Sequence, residues 1–152
     1  DFRFVFVGNL SRDYIQSLGV SDFVETTGLV SRRDAGQWMR SADALLLLSG
    51  AYVGQWGYSA KLFEYLRSGR PIICLEEEPG SNDRILLEEL AAERCCFARL
   101  GDEAGLLRAL EQVGQLVAGG TRGGVAAGLD TFHRRSQAER LARHIQDMVS
   151  SL

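Results

Sequence analysis

Ala44-Leu45-Leu46-Leu47-Leu48 is the most apolar stretch of the chain. It is followed by Ala60-Lys61-Leu62-Phe63-Glu64-Tyr65-Leu66-Arg67 and then by Pro71-Ile72-Ile73-Cys74-Leu75. The first and last of these segments are unbroken rather than alternating, the pattern of a parallel strand covered on both faces. Between them, Ser59 is placed to cap a helix over 60–67 and Gly69 to stop it. Strand, helix and strand in that order make a unit whose strands run parallel. The alternation continues upstream. Residues 2–7 read as a strand ending at Gly8, 13–18 as a short helix, and 23–27 as a weaker strand closed by Gly28. Ser31 with Asp34 then opens a helix to about residue 41, with Ala35, Trp38 and Met39 on one face. Downstream come a helix over 83–93, a strand over 95–100 and a helix over 103–117. The expected fold is α/β, a doubly wound Rossmann-like parallel sheet with helices on both faces and 44–48 as a central strand.

A length of 152 residues, 45% hydrophobic and 24% charged, suits one well-buried core. The formal charge of −3 argues against non-specific attraction to nucleic acid or an anionic membrane. Cys74 and the adjacent Cys95 and Cys96 form no CxxC pair and fall in apolar runs, so they read as small buried hydrophobes in a reducing, cytoplasmic compartment. The longest apolar run is too short to span a bilayer, and no signal peptide is visible. Five glycines, Gly119, Gly120, Gly123, Gly124 and Gly128, read as a flexible connector. The domain division is therefore 1–118 for the α/β domain, 119–131 for the connector and 132–152 for a C-terminal helix. In that helix Ala138, Leu141, Ile145 and Met148 form an apolar stripe.

In open parallel sheets the ligand crevice lies beyond the carboxyl ends of the strands, and the loop after Leu48 is the richest in glycine and aromatics. It leads into a helix start where the amides of Ser59, Ala60 and Lys61 present an anion site, and Gly57 lets a phosphate approach the backbone. Spacing alone leaves a second reading open, in which Lys61 and Glu64 merely pair across a solvated face. Tyr52, Trp56 and Tyr58 either stack on a ligand ring or pack under their own loop. His133 and His144 read as surface residues. Glu76, Glu77 and Glu78 read as a solvated turn, and no metal or other cofactor is expected. Neither a GxGxxG after the first strand nor a GxxxxGK[ST] is present.

Lys61-Leu62-Phe63-Glu64-Tyr65-Leu66, followed by Gly69-Arg70-Pro71-Ile72-Ile73, resembles the donor-site signature of family 4 glycosyltransferases of GT-B architecture. Gly8, the segment from Val24 to Val30 and Ala42-Asp43-Ala44-Leu45 agree with the same pattern, over a coverage of about 2–117. The resemblance implies a C-terminal nucleotide-sugar-binding domain in which Glu64 bonds the ribose hydroxyls. It places the amides around Ser59 and Ala60, with Lys61, on the diphosphate, and the backbone near Leu29, Val30 and Ser31 on the base. It implies a nucleotide-sugar donor, in particular a UDP-sugar, and a partner acceptor domain outside this chain. Two positions depart from the family. Trp56 stands where many members carry a second glutamate for the sugar. The strand with a glycine-arginine turn that normally precedes residue 2 is not seen, which leaves an altered sheet order, a gap filled by a partner chain or a mismatched alignment open. The alternatives are a non-catalytic receiver-like signalling module and a GT-B-type nucleotide-sugar epimerase. Gly8-Asn9 and Arg99-Leu100 stand where a receiver needs acids and a lysine.

Overall fold

The computed structural model describes residues 2–50 and 56–150. It is α/β, and every pair of named strands is parallel, but the strands form two small sheets. The chain divides into one compact unit up to Ala42 and a second from Asp43.

The first unit runs β1 (Phe4–Val7), α1 (Arg12–Ser17), β2 (Val24–Gly28) and α2 (Arg32–Ser41). β1 and β2 pair with Phe4 opposite Val24 and Phe6 opposite Thr26, and α1 makes the crossover between them. Ser11 and Ser31 accept from the amides three residues on and so start α1 and α2. Two strands bury little. Ile15 of α1 is covered, whereas Phe4, Val5 and Phe6 stay exposed.

The second unit begins with β3 (Leu45–Ser49), α3 (Ala60–Ser68), β4 (Ile72–Glu76) and α4 (Asn82–Ala91). A 3-10 turn (Ala92–Arg94), β5 (Cys95–Arg99) and α5 (Glu103–Ala118) follow, then a second 3-10 turn (Leu129–Phe132) and α6 (Arg134–Ser150). The sheet order is β3-β4-β5, with Leu45 opposite Ile72 and Ile72 opposite Cys95. On one face Ile73, Cys96 and Ala98 pack with Ala109 and Val113 of α5. On the other, Ile72 and Cys74 are buried, and α3 and α4 contribute Leu62, Leu66, Leu86 and Leu87. The strand covered on both faces is thus β4. β3 stands at the edge of this sheet and α5 does not reach across it, so Leu46 and Leu48 are 37% and 63% exposed. An unbroken apolar run distinguishes buried from alternating strands but not centre from edge.

The C-terminal end of α3 is closed from three directions. Gly69 takes φ 71°, the left-handed conformation of a helix terminator, and its carbonyl accepts from the Gly123 amide at 2.9 Å. A Cβ at Gly69 would lie 1.9 Å from the Gly123 oxygen. Beneath them Arg94, 1% exposed, donates to the carbonyls of Leu66 and Arg70, each at 3.1 Å. The glycine-rich stretch is therefore docked at its middle rather than running as a free tether.

Phe132 packs against Phe63 and Tyr58, with ring centroids 5.5 and 6.0 Å apart, and this fixes the entry to α6. Beyond that point α6 buries nothing: Leu141, Ile145 and Val149 are 61%, 47% and 65% exposed. Helices of this length draw most of their stability from packing an apolar face. Amides of α6 are expected to exchange with deuterium more than about tenfold faster than those of β4. Equal protection in a monomeric sample would show that the stripe has found cover within the chain. Among the described residues no helix is long and apolar enough to cross a membrane.

Candidate functional site

α3 lies between β3 and β4 in the chain. Each of α1, α2, α4 and α5 has its first turn capped by its own N-cap side chain, Ser11, Ser31, Ser81 or Asp102. In α3 the N-cap is Ser59, and it makes no such bond. Its hydroxyl and its amide both go to Asp83, a wholly buried carboxylate in the first turn of α4; the amide bond measures 2.8 Å and the hydroxyl bond is very short. The diversion leaves the first-turn amides of Ala60 and Lys61 without a side-chain cap at the positive end of the helix dipole. Close by in sequence, Ser49 at the end of β3 is buried to 1% exposure, and its Oγ has no hydrogen-bond partner among the described residues.

Glu64 is half-buried one turn into α3. Lys61 is exposed and forms no ion pair with a described residue, so pairing with Lys61 across a solvated face is not what engages Glu64. The neighbouring Tyr65 is buried, and its hydroxyl donates to the Leu46 carbonyl at 3.4 Å. Burial first, and the Glu64 charge second, hold the Tyr65 phenol above its ordinary pKa, so it remains a neutral donor.

Gly57, Tyr58, Ser59, Ala60, Lys61 and Glu64 are neighbours in the chain and lie at or just inside the start of α3. Tyr58 lies edge-on to Phe63 at 5.7 Å and also to Phe132, which commits its ring to packing. Trp56 is 82% exposed. Tyr52 lies outside the described residues. Leu29, Val30 and Ser31 belong to the first unit, between β2 and α2. There Leu29 is exposed, and Ser31 is occupied in capping, accepting from the Asp34 amide at 3.1 Å and donating to its carboxylate at 2.7 Å.

Three buried charged residues were not legible as such. Glu76 is not part of a solvated turn. It ends β4 at 2% exposure, accepting from the Ser81 amide and hydroxyl at 3.1 and 2.9 Å and from Arg84 at 2.9 Å. Asp83 and Arg94 are likewise buried, and each is satisfied by groups far away in sequence. Cys74 and Cys96 are buried as read and Cys95 is half-buried; burial pushes Cys74 and Cys95 up to about 12, where neither is a nucleophile at neutral pH.

No protein-family model, curated protein or solved structure matches the chain. A helix start without a side-chain cap presents amides whose chemistry suits anionic oxygens. A half-buried carboxylate one turn further on accepts from hydroxyl groups. Among the described residues no group of three or more His, Cys, Asp or Glu side chains is placed to hold a metal ion.

Proposed function

We propose that this chain is the nucleotide-sugar-binding half of a GT-B glycosyltransferase of the family 4 type, which transfers a sugar from a UDP-sugar to an acceptor held by another domain. On this reading its two sheets belong to the doubly wound Rossmann-like arrangement of that fold. The observation that carries it is the capture of Ser59 by Asp83, which leaves the α3 amides open for a diphosphate. Glu64 then takes the ribose hydroxyls, as the resemblance of the α3 sequence implies. The unit binds and orients the donor; a general base is not assigned to it.

The diphosphate charge is met by helix amides and Lys61, so UDP is expected to bind with no added metal. Titration of UDP, GDP, ADP and CMP in the presence of EDTA, followed by amide NMR shifts, checks this. Saturable shifts at 57–64 with UDP are the expected result, and a strict need for Mg²⁺ or Mn²⁺ would contradict it.

A further inference from the structure

A second crevice opens at the carboxyl ends of β4 and β5. It is a cavity of about 220 Å³ walled by the starts of α4 and α5. Phe97, Ala98 and Ala109 line it together with Arg84, Arg99 and Arg108. Two acids also line it, and both are engaged. Glu76 is saturated by Ser81 and Arg84. Asp102 spends Oδ1 on the Gly105 amide at 2.9 Å, while its Oδ2 lies 3.8 Å from Arg108.

The three guanidinium groups differ in how they are held. Arg84 is immobilised: its Nε donates to Glu88 at 2.8 Å, its Nη1 to Glu76, and its plane lies 4.4 Å from the centre of the Phe97 ring. Arg108 has only the long contact with Asp102, and Arg99 makes no ion pair with a described residue. Arg84 is matched by Glu76 and Glu88, so among the lining residues the weakly partnered cations are Arg99 and Arg108, opposed by the single carboxylate of Asp102.

We infer that this cavity binds a phosphate dianion carried on a small apolar or planar group. Guanidinium forks arriving from β5 and from α5 suit the several oxygens of a phosphate, and each such bond is charge-assisted. Phe97 is half-buried beneath Arg84, and its remaining exposed surface suits the group that carries the phosphate. This site uses none of the residues at the α3 helix start, so the two stand or fall separately.

The test is an amide NMR titration of the whole chain at constant ionic strength with inorganic phosphate and with phenyl phosphate. Saturable shifts at 99–108 are expected, with phenyl phosphate half-saturating near about 1 mM. Arg99→Ala and Arg108→Ala should each weaken binding about fivefold or more, and together about twentyfold or more. Both side chains are exposed, so unchanged spectra away from the cavity confirm that the variants fold. If inorganic phosphate binds as tightly as the ester, the phosphate chemistry stands and the free ion is the occupant. No saturable shift up to about 20 mM, or equal binding by the double variant, would overturn the inference. UDP shifts confined to 57–64 would leave it untouched, and their absence would not rescue it.

Discussion

Arg94→Ala is expected to destabilise the protein by about 3 to 4 kcal/mol, through lost charge-assisted hydrogen bonds and the space left behind. The guanidinium is 1% exposed and donates to two carbonyls, Leu66 and Arg70, that terminate α3. Water cannot readily replace it, because Gly123 closes over it and a Cβ there would lie only 3.0 Å from the Arg94 Nε. Its positive charge also sits at the negative end of the α3 dipole. Arg94→Lys keeps the charge but loses the fork, and a smaller loss of about 1 to 2 kcal/mol is expected. Urea unfolding followed by circular dichroism measures both. A loss below about 1 kcal/mol for Arg94→Ala would show that the α3 terminus is held by Gly69 and Gly123 alone.

Asp83→Ala should cost about 2 to 3 kcal/mol, since the wholly buried carboxylate is removed and the partly buried Ser59 amide loses its acceptor. The substitution also has a consequence for ligand binding. With Asp83 gone, the Ser59 hydroxyl is free to turn onto its own helix and cap the first-turn amides, as Ser31 and Ser81 do in α2 and α4. A diphosphate then competes with that cap, and UDP affinity should fall by about fivefold to tenfold. Asp83→Asn keeps one acceptor oxygen and should sit between the two. A loss of stability with unchanged UDP affinity would separate the α3 start from phosphate binding.

What was legible in the sequence was local. Ser31 and Asp34 start α2 as read and Gly69 ends α3, because caps and terminators act within a few residues of themselves; Ser59 stands at the N-cap position of α3 but, contrary to the reading, its side chain goes to Asp83 instead of capping the helix. The apolar segments became strands with boundaries displaced by a residue or two. Long-range partners were not legible. Nothing near Arg94 shows that its guanidinium is destined for carbonyls of 66 and 70, and Asp83 looks like any acid in a first helical turn. Glu76 was hidden by its company: Glu77 and Glu78 beside it are exposed, and only the strand register sets it apart. The edge position of β3 depends on which strands pair, which the apolar run does not encode. The candidate helix start was located from its glycine-rich approach, but the reason it is open, the removal of Ser59 by a residue of α4, appears only in three dimensions.

The most direct test of the nucleotide-sugar reading compares UDP binding by the wild type and by Glu64→Ala, by metal-free calorimetry or NMR titration. If Glu64 holds the ribose hydroxyls, the variant should bind about tenfold to a hundredfold more weakly, corresponding to about 1.5 to 3 kcal/mol for hydrogen bonds to a charged group. Its fold should be intact, since the side chain is only half-buried. Equal affinity of the two proteins would contradict the account and return Glu64 to the surface of an ordinary helix.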